Sequence, residues 1–173
     1  MAIPRIDPLP GYNFLIALID TSSTFSAVAS GVAGLALGGF SECSGLESTL
    51  ETLDYREGGV NDRIHRFPTR FTPTNIVLRR GVGFSEDLWL WHQEFLDGKG
   101  KRRDGLIILQ NELKIPIKIW TFSRGLPVKW TGPTFNATAS ELSIEALEIA
   151  HEKLELQLSP GAVLGKVTEA IGF

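Results

Sequence analysis

The chain has 173 residues, 43% of them hydrophobic and 21% charged. That balance suits a soluble globular protein, which at this length buries roughly 70% of its unfolded surface without a disulfide or metal staple. A net charge of −3, from 17 basic and 20 acidic residues, argues against a general nucleic-acid binder, the lone Cys43 excludes an internal disulfide, and the composition excludes a coiled coil and a disordered chain.

In chain order, the N-terminus MAIPRIDPLPG lacks the basic start and apolar core of a signal peptide, so synthesis in the cytoplasm is expected. Tyr12 to Asp20 (YNFLIALID) is a compact apolar run after Pro-Gly and reads as the first strand. Thr21 to Ser41 carries no charge over 21 residues, with Gly34 and Gly38 at the spacing of a membrane helix-packing motif. Most of it is Ser, Ala, Gly and Thr, which favours a loop that packs against protein over stable membrane insertion. Leu46, Leu50 and Leu53 then recur at helical spacing, although a bulge would restore the alternation of a strand.

Asn75 to Arg80 reads as a strand, and Ser85 to Leu96 as the one clear helix. Ser85 is its expected cap and Gly98 its stop; Leu88, Trp91 and Phe95 form an apolar stripe that Trp89 and Leu90 broaden. Leu106 to Gln110 and Ile115 to Phe122 are β-branched or aromatic and read as strands. In the second, Ile115, Ile117 and Ile119 form an aliphatic face, and Pro116 favours an edge or a strand start. Leu142, Ala146 and Ile149 have helical spacing, while Leu142, Ile144 and Ala146 alternate as in a strand.

Catalytic motifs are missing. His65, His92 and His151 are isolated in sequence and fit no zinc-ligand spacing, so no metal is expected. The glycines of residues 31–39 precede no Lys-Ser or Lys-Thr, which leaves no phosphate loop, and a Cys43–His nucleophile pair would rest on the fold alone. Charge, in contrast, is segregated. Residues 41–57 carry five acids and one base, residues 63–80 five arginines and no acid, residues 99–103 four bases, and residues 141–155 five glutamates against Lys153. Acidic patches on one copy could meet basic patches on the next, a head-to-tail contact joining Arg63, Arg66, Arg70, Lys101, Arg102 and Arg103 to Glu141, Glu145 and Glu148.

The runs GFSECSGLESTLETLDYREGGVNDRIHRFP, NIVLRRGV, LWLWHQ, RRDGLIIL and WTFSRGLPVKWTGPTFNA, followed by ELSIEALEIAHEKL, resemble in order and spacing the tail tube proteins of contractile injection systems. The resemblance covers about Tyr12 to Leu154. Its most specific parts are Tyr55-Arg56-Glu57-Gly58-Gly59 with Asn61, the Arg80-Gly81 step, and Pro127-Val128-Lys129-Trp130 with Gly132-Pro133.

The resemblance implies a mainly β subunit, sandwich-like or barrel-like, with one flanking helix and long hairpins that join into a ring-wide barrel on hexamerisation. Residues 40–57 would then be the first lumen-lining hairpin, carrying Gly45, Leu46, Glu47, Leu50, Glu51, Leu53, Tyr55, Arg56, Glu57, Gly58 and Gly59, with Asn61 beyond, and residues 141–154 would be part of the second sheet. It further implies a single domain over residues 1–158, an insertion at 21–39 whose Val28, Val32, Leu35 and Leu37 contact a neighbouring ring or the sheath, and an extension at 159–173. The implied function is a structural inner tube without catalysis or cofactor. Its implied partners are further copies of itself, a contractile sheath, a spike or baseplate hub, a terminator, and lumen cargo or a tape measure, with no specific nucleic-acid sequence. A monomeric β-barrel binding a small apolar ligand is the competing reading.

Overall fold

Near-continuous apolar runs form strands covered on both faces, whereas alternating runs form strands covered on one, and this chain has both. The computed structural model describes residues 11–20, 39–59, 62–83, 85–138 and 140–158. Among them, in chain order, run β1 (Phe14–Asp20), β2 (Glu42–Ser44), β3 (Ser48–Tyr55), β4 (His65–Pro73) and β5 (Ile76–Gly81). The helix α1 (Asp87–Leu96) follows, then β6 (Arg103–Gln110), β7 (Pro116–Thr131), β8 (Ile144–Ala150) and β9 (Lys153–Leu158). The fold is mainly β with one flanking helix, as the resemblance implied, and its sheets are open rather than closed into a monomeric barrel.

β7 organises the body. Its first half pairs antiparallel with β6 and β9, and its second half, from Leu126, pairs with β8. Two layers share this strand: β1-β6-β7-β9 and β7-β8-β5-β2. The change of layer falls at Arg124, with φ 56, and Gly125. A Cβ on Gly125 would lie 2.8 Å from both the Arg103 carbonyl oxygen and the Phe122 ring, so the bend is open only to glycine. The sequence places a strand at 115–122 and misses its continuation because Gly125 and Pro127 are strand breakers. The structure accommodates Pro127 beside a register shift opposite β8.

The main core lies between the layers and under the helix, with Ile16 and Leu18 of β1, Ile107 of β6, Phe122 of β7, Ile76 and Leu78 of β5, Leu147 and Ile149 of β8, and Leu88 and Trp91 of α1. A second cluster, Ala17, Ile19, Leu106 and Ile108, lies on the other face of β1 and β6, with Ile119 packed against it. Both faces of this layer are therefore apolar, which explains the unbroken runs LIALI and LIIL. In β8 a strand forms, as the resemblance required, but its buried face is Glu145, Leu147 and Ile149. Leu142 and Ile144, on the alternation the sequence suggested, are 88% and 48% exposed.

α1 buries Leu88 and Trp91 as expected, with Phe95 packed at the edge of the core, while Trp89 and Leu90 are largely exposed. Trp89 instead meets the Trp130 ring edge-on at 4.6 Å. The expected Ser85 cap does not form: the Ser85 hydroxyl bonds the Asp87 carboxylate. Gly98, with φ 72, ends the helix by donating its N–H to the Phe95 carbonyl at 3.1 Å.

One buried ion pair joins these elements. Arg80 of β5 donates from Nε to Glu145 Oε1 of β8 at 2.6 Å and from Nη2 to the Ser85 carbonyl at 2.8 Å, just before α1. Trp130 of β7 donates its indole N–H to Glu145 Oε2 at 3.2 Å. With side chains only 6% and 9% exposed, neither charge can be left without the other. Arg80→Met alone should destabilise the subunit by about 3 to 5 kcal/mol, and adding Glu145→Leu should recover most of the loss. Denaturant melts of the free subunit check both values.

Candidate assembly surface

β3 and β4 form a two-stranded ribbon separate from the body layers. Leu50 stands opposite Phe71, Leu53 opposite Phe67 and Tyr55 opposite His65. Three residues apart, Leu50 and Leu53 would point to opposite faces of a regular strand. The register shifts between Leu50 and Thr52, but the extra residue is on β4, where Thr69 and Arg70 stand against Glu51 alone, so β3 alternates without a break and the two leucines lie on opposite faces. The same spacing imitated a helix in the sequence, and the helical reading is wrong.

The ribbon has two faces. Leu53, Tyr55 and Phe67 share one with Thr49, Glu51 and Thr72, the Tyr55 and Phe67 rings lying 6.2 Å apart, and Leu50 and Phe71 share the other with Thr52, Asp54, Arg66 and Pro68. All five large apolar side chains are more than half exposed. A ribbon of two strands is marginally stable in water, and burying each large apolar side chain would contribute about 1.5 to 3 kcal/mol. Both outer edges also present unpaired backbone groups, a template for further strands.

The expected hairpin at 40–57 is corrected: β2 and β3 do not pair with each other but with β5 and β4, so the hairpin runs from β3 to β4, and the expected residues divide by position. Gly45, Leu46 and Glu47 lie at the ribbon's root, where Leu46 packs against the main core and the Glu47 carbonyl accepts the Thr74 N–H at 3.2 Å. Glu51 accepts from the Thr72 hydroxyl at 3.3 Å. At the tip Arg56, Glu57, Gly58 and Gly59 line an open concavity of about 760 Å³ with Asp62, Arg63 and Arg66. Its charged wall does not suit a small apolar ligand. Asn61, Val28, Val32, Leu35 and Leu37 lie outside the described residues, as do 21–38 and 159–173.

Much of the segregated charge is used within the chain. Arg66 pairs with Asp54 at 3.2 Å and Arg102 with Glu152 at 3.0 Å. Arg103 lies 3.9 Å from Glu94 and 5.2 Å from the centre of the Trp91 ring. Glu148 accepts from Asn75 at 2.8 Å. The expectation for Glu145 is corrected: its carboxylate is buried with Arg80 and cannot face a neighbour. Arg63, Arg70, Lys101 and Glu141 are exposed. Sequence reading missed β4 altogether because HRFPTRFTP reads as basic and proline-broken. Phe67 and Phe71 were the available apolar signal, and the extra residue that β4 carries between them hides their alternation.

Cys43 is half-buried on β2, with its thiol pushed up to about 11 by burial and then by the Glu42 carboxylate. A thiol held neutral is no nucleophile at neutral pH. Because its ordinary value of 9.0 applies on unfolding, the stability it contributes is whole below pH 9 and is lost as pH rises toward about 11. Alkylation at pH 8 should accordingly be at least about tenfold slower in the folded subunit than in denaturant, as mass spectrometry would show.

A family model described as T4-like virus tail tube protein gp19 matches residues 12–155. A chain in the cryo-EM structure of the anti-feeding prophage (AFP) baseplate, 6-fold symmetrised, is 26% identical. The match covers 91% of this chain and 97% of that one, with a TM-score of 0.71. The PVC sheath-tube complex of an extracellular contractile injection system, in its extended state, holds a chain 24% identical over 88% of this chain and 93% of its own, with a TM-score of 0.73. A chain of the AFP tube terminating cap is 24% identical over 92% and 97%, with a TM-score of 0.76. These last two show likeness of fold. Among curated proteins no relative matches.

Proposed function

The chain belongs to the T4-like virus tail tube protein family, and on that premise we propose that its β3–β4 arm pairs with the arms of neighbouring copies to close a hexameric ring around a lumen. The protein is a structural tube subunit of phage-like contractile particles, a group that includes extracellular ones, and is not an enzyme. Closure of a head-to-tail contact removes the free edges of the arms and covers their apolar faces. The exposed apolar side chains of the arm, Leu53, Tyr55 and Phe67 on one face and Leu50 and Phe71 on the other, carry this reading.

Stacked rings would form a tube that a contracting sheath drives through the target envelope, with cargo or a tape measure in the lumen. The relatives named for a baseplate, a sheath-tube complex and a terminating cap support a hub, a sheath and a terminator as partners here too. In this scheme residues 1–158 are the tube domain, made in the bacterial cytoplasm, with residues 21–39 given to inter-ring or sheath contact and 159–173 to an extension. Of the charged residues, Arg63, Arg66, Arg70, Lys101 and Glu141 remain exposed for ring contacts, Arg66 while paired with Asp54.

Native mass spectrometry of the purified protein should show six-subunit rings or longer stacks, and a monomer at every concentration would refute the proposal. Leu53→Ser combined with Phe67→Ser should abolish rings while shifting free-subunit stability by no more than about 1 kcal/mol, since both side chains are exposed before assembly. A loss of subunit stability as large as the loss of assembly would place the two side chains in an internal contact instead.

A further inference from the structure

The ribbon and the body share one strand register, since Ser44 stands opposite Val77 in the β2–β5 pair and Ser48 opposite Pro73 in the β3–β4 pair. Between them the ladder lapses. Gly45 takes φ 84, and a Cβ there would lie 2.0 Å from the Asn75 carbonyl oxygen, so the two backbones touch at a turn only glycine can make. A ribbon attached through so short a lapse would be free to swing unless something held its root.

Two side chains from the end of β8 reach that root. Glu148 Oε1 accepts a hydrogen bond from Asn75 Nδ2 at 2.8 Å, and His151 donates from Nε2 to the Thr74 carbonyl at 3.1 Å. His151 is itself buried, with its ring 6.3 Å from that of Phe122 in the main core. We propose that Asn75, Glu148 and His151 are positioning residues that fix the angle at which the β3–β4 arm leaves the body, so that arms of successive copies meet in register. An arm held at the assembled angle loses less freedom on ring closure than one that must be caught from a spread of angles. This inference deepens the tube-subunit reading and rests on it, and it gives Glu148 a role inside the subunit in place of a ring contact.

Isosteric exchange of donor and acceptor provides the test. Asn75→Asp sets two carboxylates against each other, whereas Asn75→Asp with Glu148→Gln restores a charge-assisted bond of reversed polarity with the same atoms in place. Spin labels at Thr52→Cys on the arm and Glu112→Cys on the body, in a Cys43→Ala background, report the arm angle in the free subunit. The expected result is a narrow distance distribution in the otherwise unaltered chain, a broad one with Asn75→Asp, and a narrow one again in the double exchange. The concentration needed for ring formation should rise about tenfold with Asn75→Asp, as losing one such bond per subunit would give, and return in the double exchange.

A distribution that stays narrow with Asn75→Asp overturns the proposal. So does one that stays broad in the double exchange, while unrestored assembly with a restored angle would return Glu148 to the subunit contact. Should Asn75→Asp fail to fold, Asn75→Ala removes the bond without adding charge and is read by the same distances. Failure of the unsubstituted protein to form rings would count against the tube reading, and the free-subunit distances would still decide the arm angle.

Discussion

A two-stranded β-ribbon cannot satisfy itself: each strand leaves a row of backbone donors and acceptors unpaired, and only one partner strand shields each side chain. In β3–β4 this constraint is sharpened by five large apolar side chains, all more than half exposed in the single subunit. Charge on the edges would blunt such a ribbon in a monomeric protein, and here Arg66 is neutralised by Asp54 at 3.2 Å. Such a surface is costly in isolation, and the proposed ring closure would cover it. The closed ring of a tail tube is the arrangement in which every arm has a neighbour on both sides.

The body serves as a mount for that arm. β7 passes through both layers and so couples them, with its bend fixed by the tight fit of Gly125 against Arg103 and Phe122. The Arg80–Glu145 pair with the Trp130 indole ties β5, β7 and β8 together and anchors the residues leading into α1. These contacts explain the sequence marks of the resemblance. Arg80-Gly81 supplies the buried guanidinium, and Pro127 to Trp130 supplies the indole donor and the Pro127 carbonyl, which accepts from His92 at 3.2 Å. Buried polar pairs contribute little net stability compared with apolar replacements, so their value here is in fixing where the strands lie.

Much of this was legible in the residues. The apolar runs at β1 and β6, the strand at β5 and the stripe of Leu88, Trp91 and Phe95 follow from burial on a fixed period, and each stands where that period placed it. The candidate site was harder because its large apolar side chains are exposed and follow no core-facing period. Leu46, Leu50 and Leu53 keep helical spacing although they serve three different surfaces, Leu46 packing against the main core and Leu50 and Leu53 facing opposite sides of the ribbon. β4 was hidden by its arginines and prolines, and the resemblance placed the hairpin at 40–57 without it. Charge segregation misled at Glu145, since sequence cannot tell a carboxylate paired inside from one displayed outside. Asn75 and His151 were illegible for a related reason: their contacts span 73 and 77 residues of chain.

The central claim, that the β3–β4 arm is completed only by neighbouring copies, is tested most directly by amide hydrogen exchange in the free subunit and in the assembled ring. Residues 48–55 and 65–73 should exchange rapidly in the free subunit while β6 and β8 are protected, and should gain at least about a hundredfold protection on assembly as edges and apolar side chains are covered. Equal protection of the arm in both states would show that the ribbon is stable alone and would contradict the account.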